Sequence, residues 1–190
     1  MRTILPEDKN PALRAIAKDI PVGDIRSAKI KKLIAEMKSL LANEEYGVAL
    51  AAPQVGEGVR LFVISGRALA RGSRNAKDEK SDAEVTGDEV RPHRKLETVL
   101  PDQVYINPTL VKISRAKKDK HEGCLSIRGK WGEVPRADKA TIRAYDEAGH
   151  LFTRGASGFL AHIFQHEIDH LNGILYTDKA TKIYEEKDGK

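Results

Sequence analysis

"SGFLAHIFQHEIDHLNGIL", residues 157–175, decides the architecture. Phe159, Leu160, Ile163, Phe164, Ile168 and Leu171 fall around most of the circumference of a helix, so a helix here has little face to give to solvent and must be enclosed. Ser157 can cap its start, and Gly173 stops it after Leu171. Within this apolar helix sit His166, Glu167 and His170 in the pattern H-E-x-x-H, and buried polar groups need partners. Histidines four residues apart lie about 40° apart around the axis and roughly 6 Å along it, so both imidazoles can reach one cation. Glu167 is displaced by about 100°, where its carboxylate reaches a water on that cation rather than the cation itself. The helix thus reads as two ligands and a general acid and base, but many metal hydrolases share the pattern and it does not specify a substrate.

A catalytic site of this kind takes a third protein ligand and leaves one position open. His162 would continue the series, but three histidines at this spacing spread over about 12 Å, too far for one cation with bonds near 2 Å. His162 fits better as a residue lining the approach or making an ordinary hydrogen bond. Cys124 lies in "HEGCLS" (121–126), where Gly123 lets the backbone come close to a metal or substrate and a divalent cation would stabilise the thiolate. His121 is a weaker competitor and suits an exposed position. A third short motif, "GVALAAPQVG" (47–56), is poor in bulk and can lie flush against a peptide, with the Gln54 amide as a donor for a developing oxyanion. Taken alone, it also reads as a tight loop whose Gln54 satisfies backbone groups.

The remaining chain frames these motifs. Asn10 and Pro11 suggest a short helix at "NPALRAIAKDI". Ile30, Leu33, Ile34, Met37, Leu40 and Leu41 repeat at spacings of three and four, predicting an amphipathic helix that ends at Gly47. "VRLFVIS" reads as a strand, and "QVYINPTLVKIS" as strand character on either side of a turn at Asn107-Pro108. "KATIRAYD", "EAGH" and "LFTRG" read as a hairpin with Gly149 in its connection. Residues 66–100 have few large apolar side chains and many charges of both signs, predicting a mobile insertion with His93 exposed. Strands precede a late helix without regular β-α alternation, which favours an α+β fold.

Composition narrows the class. The 190 residues suit a single domain spanning 1–190, and 40% apolar with 32% charged residues is ordinary for a globular chain. No apolar run approaches the roughly 20 residues that span a bilayer, and "MRTILPEDKN" lacks the features of a secretory signal, so no membrane partner and a cytoplasmic location are expected. With one cysteine no intrachain disulfide can form, in keeping with a reducing compartment. The net charge of +5 comes with no basic stripe interleaved with aromatics, so no specific nucleic-acid recognition is expected.

Together the three motifs resemble the peptide deformylase family. Its G-x-G-L-A-A-x-Q is matched by Gly47, Leu50, Ala51, Ala52 and Gln54, its E-G-C-L-S by Glu122 to Ser126, and its Q-H-E-x-D-H-L by Gln165 to Leu171. The resemblance implies antiparallel sheets packed around a central metal-binding helix. It implies a hydrolase that removes the formyl group from the N-terminal formylmethionine of nascent peptides, releasing formate. It further implies one divalent metal ion per chain on Cys124, His166 and His170, Fe²⁺ first, with Zn²⁺, Ni²⁺ or Co²⁺ able to replace it. Glu167 would handle protons, and the Leu125 N–H and the Gln54 side chain would stabilise the oxyanion. Backbone near Val48, Ala49 and Gly123 would pair with the peptide as an added strand, and Glu122, Phe159, His162 and Ile163 would form the methionine pocket. A nascent-chain substrate implies a transient ribosome contact, although the tail "YTDKATKIYEEKDGK" does not suggest a long docking helix.

This chain departs from the family in carrying Ala49 at the second glycine of the first motif, Arg128 where many relatives have Pro, and Trp131 where they have a basic residue. Trp131 has two readings, closing over substrate or packing on the surface. Two other functions compete: a peptide-binding relative with little activity, motivated by Ala49 and the insertion, and an H-E-x-x-H metallopeptidase. The intact Glu167 argues against the first, and a cysteine ligand upstream argues against the second.

Overall fold

Ile30, Leu33, Ile34, Met37 and Leu41 put one buried apolar stripe on helix α1 (Ala28–Asn43). In the computed structural model, which describes residues 2–70 and 100–185, the Ser27 hydroxyl caps α1 by accepting from the Ile30 N–H. The helix stops at Asn43, short of Gly47, because Glu44 is already extended at φ −87° and ψ 115°. Gly47 meets a different need: a Cβ there would lie 2.9 Å from the side chains of both Leu41 and Glu44. Upstream, the short helix expected after Asn10 is a single 3₁₀ turn, Pro11–Arg14, with the Asn10 side chain accepting from the Ala12 N–H. Most of the segment expected as an insertion, 71–99 with His93, lies outside the described residues.

The strands are β1 (Ala49–Ala51), β2 (Leu61–Ile64), β3 (Gln103–Ile113), β4 (Lys117–Cys124), β5 (Ile127–Ala137), β6 (Lys139–Tyr145), β7 (Leu151–Ser157) and β8 (Lys182–Glu185). A five-stranded sheet runs β1-β2-β3-β6-β7 and a three-stranded sheet β4-β5-β8, with every pairing antiparallel. Between β7 and the end of the chain comes α2 (Gly158–Leu171). Ser157 occupies its N-cap position without a side-chain cap bond, and Gly173 turns the chain after it at φ +73°.

Alternation along β2 explains the layering. Leu61 and Val63 pack toward α1 with Leu50, Val104 and Ile106. Phe62 and Ile64 face the other way and meet Ala161, Ile163, Phe164 and Ile168 of α2, together with Tyr105 and Ile142. The three-stranded sheet joins through a smaller cluster of Leu13, Ile127, Val134, Leu175 and Tyr176. The central helix α2 therefore packs against strands of both sheets, as the α+β reading with antiparallel sheets around a central helix expects.

Two regions differ from the sequence expectations. Asn107-Pro108 makes no turn between strands: β3 runs through it, with a shift of register against β6 between Ile106 and Thr109. Asn107 takes φ +50°, which Asn tolerates better than most residues, and its side chain bonds both the N–H and the carbonyl of Ile20. The turn-like dipeptide is thus a bulge that anchors the N-terminal segment. Nothing in the hydrophobic pattern announces β4 and β8, whose exposed charged residues hide any alternation. The expected β6–β7 hairpin is present, with Gly149 at φ +84°.

Candidate active site

The order of strands leaves β1 at one edge of its sheet and β4 at one edge of the other, and both edges line one cleft of about 510 Å³. Val48 and Ala49 stand on the first wall, and Gly123, Cys124 and Leu125 on the second. α2 forms the floor with Phe159, His162, Ile163, His166 and Glu167. All thirteen residues expected at the site come together here except that His170 lies beneath the lining, 1% exposed. Trp131 stacks on Tyr184 at 4.2 Å between ring centroids and packs edge-on to His121, so it is a packed surface aromatic.

Cys124, at the end of β4, meets the two histidines of α2. The donor atoms of Cys124, His166 and His170 all lie within 4.8 Å of one another, and among the described residues this is the one such group of His, Cys, Asp and Glu donors. Cys124 Sγ is 3.3 Å from His170 Nε2. Three ligands of these types on one tetrahedral ion, at bonds of about 2.0–2.3 Å, stand roughly 3.3–3.7 Å apart, so the donors fit a single divalent metal ion. Burial lowers the pKa of His170 well below the usual imidazole value, keeping it in the neutral form that ligates. Burial also disfavours charge on His166, but Cys124 and Glu122 outweigh it and raise its pKa well above the usual value.

Behind the histidines lies a buried charge network. Glu122, 2% exposed, receives both forks of the Arg136 guanidinium, accepts at Oε1 from His162 Nε2 at 2.8 Å and pairs at Oε2 with His166 Nδ1 at 2.7 Å. Engagement of Nδ1 leaves Nε2 of His166 as its free ring donor atom. Glu122 thus reaches the cleft lining, but its carboxylate serves His162 and His166. His162 makes the ordinary hydrogen bond that its distance along the helix suggested. Arg136 also donates to Asp169, which receives Lys179 at 2.6 Å. Gln165 ties α2 to β5 by bonding both the N–H and the carbonyl of Ala137. Arg136 and Lys179 are additions to the sequence-derived set; the available signal was a lone Arg among Val134, Pro135 and Ala137 in "EVPRADKA".

Gln54 satisfies a backbone group, as one of its two sequence readings expects. Its Oε1 accepts from the Ala51 N–H at 2.8 Å, which satisfies a backbone group and fixes the amide. Its Nε2 then points to the site, 3.4 Å from Cys124 Sγ. Glu167 is 4% exposed with no partner at Oε2, and burial pushes its carboxyl up to about 7. A carboxyl poised near neutrality beside two converging imidazoles and a thiol can accept and return a proton.

A strand-borne cysteine, a helix-borne histidine pair and an adjacent carboxyl at the base of a cleft form a donor set of the class that metal hydrolases use. Comparison with known proteins agrees. The polypeptide deformylase family matches residues 1–186. The peptide deformylase of Halothermothrix orenii is 36% identical over 180 residues, covering 93% of this chain and 92% of that protein. That of Desulforudis audaxviator is 32% identical, covering 88% of this chain and 93% of the relative. The crystal structure of peptide deformylase from Thermotoga maritima superposes with a TM-score of 0.71 at 27% identity, over 96% of this chain and 99% of that one. The chain belongs to the polypeptide deformylase family. It is an enzyme of that class, acting on N-formylmethionyl peptides.

Proposed function

We propose that Cys124, His166 and His170 hold one divalent cation and that Glu167 carries the proton in hydrolysis of the formyl amide. The observation that carries this reading is the convergence of three donor atoms from α2 and β4 within 4.8 Å. Fe²⁺ is our assignment, and Zn²⁺, Ni²⁺ or Co²⁺ suit the same thiolate and imidazole set. When bound, such an ion supplies a Lewis acid for the formyl oxygen and acidifies water.

The chain's own groups supply the rest. Glu122 holds the His166 ring by Nδ1, presenting Nε2 to the cation. Glu167 takes a proton from the attacking water at its unpartnered Oε2 and returns it to the nitrogen as the C–N bond breaks, giving formate and a free amine. Gln54 Nε2, oriented by Ala51, and the Leu125 N–H donate to the developing oxyanion. The peptide lies extended between β1 and β4, pairing with backbone near Val48, Ala49 and Gly123. Phe159, Ile163 and the His162 ring, pinned by Glu122, enclose the methionine side chain. Because the substrate is a nascent chain, the reaction belongs in the cytoplasm with only transient ribosome contact.

The test is formate release from formyl-Met-Ala-Ser by protein purified without air and loaded with Fe²⁺, Ni²⁺ or Co²⁺. Turnover is expected with at least one. Silence with all three overturns the reading, and cleavage of an internal peptide bond that is lost in Glu167→Ala would replace it with a metallopeptidase.

A further inference from the structure

The mouth of the cleft carries charge that deformylation itself does not require. Among the described lining residues the two carboxylates, Glu122 and Glu167, are buried, whereas His121, Arg128 and Lys130 are exposed. Arg128 is the second residue of β5, just past the turn from β4, with 67% of its side chain exposed, and its guanidinium reaches across to Glu44, just beyond α1, at 2.8 Å. This pair links the wall bearing Val48 and Ala49 to the wall bearing Leu125. Lys130 pairs outward with Glu185 at 2.8 Å. Both ion pairs face solvent, so each is weak and readily exchanged.

We propose that Arg128, with Lys130 and His121 beside it, selects peptides bearing a carboxylate in the first residues after methionine. The substrate carboxylate replaces Glu44 on the Arg128 guanidinium. The inference rests on the deformylase reading, because it needs an extended peptide held between β1 and β4. Each extended residue advances about 3.3 Å, so the second and third side chains pass the rim while the formyl group sits near Cys124. A contact this far from the reacting carbon is made equally in ground and transition states, so it acts on KM and leaves kcat nearly constant. Being exposed, it is also screened by salt.

The experiment uses the metal-loaded full chain and three C-terminally amidated substrates, formyl-Met-Ala-Asp, formyl-Met-Ala-Asn and formyl-Met-Ala-Lys. At low ionic strength kcat/KM for Asp should exceed that for Lys by about threefold to tenfold, carried by KM and largely abolished in 0.5 M salt. Arg128→Gln should bring the ratio close to one, Arg128→Glu should invert it, and Glu44→Gln should raise it. Comparing ratios within each protein cancels any general damage to the fold. No formate from any of the three peptides overturns the deformylase reading. Turnover with an Asp-to-Lys ratio within twofold in the unaltered chain, or a ratio indifferent to both Arg128 variants, overturns the rim alone.

Discussion

Glu167 lies within 4% exposure, on the turn of helix between two imidazoles, and its Oε2 has no partner. An unpartnered buried carboxyl is costly to keep, and the proposed proton transfer gives it a use. Glu167→Gln keeps the volume but cannot carry a proton, so formate release should fall by roughly 10²–10⁴-fold with metal content unchanged, measured by single-turnover kinetics and elemental analysis. Gln54→Leu removes the amide proposed as an oxyanion donor and should lower kcat by about 10²–10³-fold. It also removes the acceptor for the Ala51 N–H, so its thermal unfolding should be compared with that of Gln54→Glu. Cys124→Ser replaces the proposed soft ligand with a harder one, and metal occupancy should drop sharply. Normal metal content with normal turnover would remove Cys124 from the site.

At the scale of elements, Arg136 of β5 is the tie between the second sheet and α2, with Glu122 on one side and Asp169 on the other. Arg136→Met would leave buried Glu122 with its two histidines alone and Asp169 with only Lys179, and about 3–5 kcal/mol of stability should be lost in urea unfolding of the metal-free protein. Replacing Asp169 by Asn keeps a hydrogen-bond acceptor and should cost less. This element was only half legible in the sequence. Helix periodicity gave α2, and spacing along it gave His166 and His170 as a pair and separated His162 from them. The partners of those histidines were not legible, because Glu122 and Arg136 meet across the register of a hairpin whose strands carry charges on exposed positions. Asn107 shows the same limit from the other direction. Its dipeptide predicts a turn, and only the neighbouring Ile20 backbone decides that it becomes a bulge within β3.

For the whole molecule, Tyr105 marks the centre, stacked on Phe62 at 4.7 Å and edge-on to Phe164, with its hydroxyl donating to Gln103 Oε1. Burial pushes its phenol up to about 12. A folded pKa above the unfolded value near 10 means that the neutral phenol contributes stability fully below pH 10 and loses it as pH rises toward 12. Unfolding monitored by circular dichroism should therefore show stability falling between pH 10 and 12, with a shallower fall in Tyr105→Phe. Tyr176, also pushed up to about 12 by burial, should keep part of that slope in the variant. The edge strands that flank the cleft bear on a different property, the tendency of the chain to stick to its own copies. An open edge is a template for any strand, but β1 offers three residues, too few to hold a neighbouring molecule. The longer edge of β4 begins with Lys117 and Lys118, both exposed, followed by Lys120, and like charges brought side by side in a second copy would repel. Colloidal stability and an accessible cleft are thus met on the same strand, with its lysines at one end and Cys124 at the other.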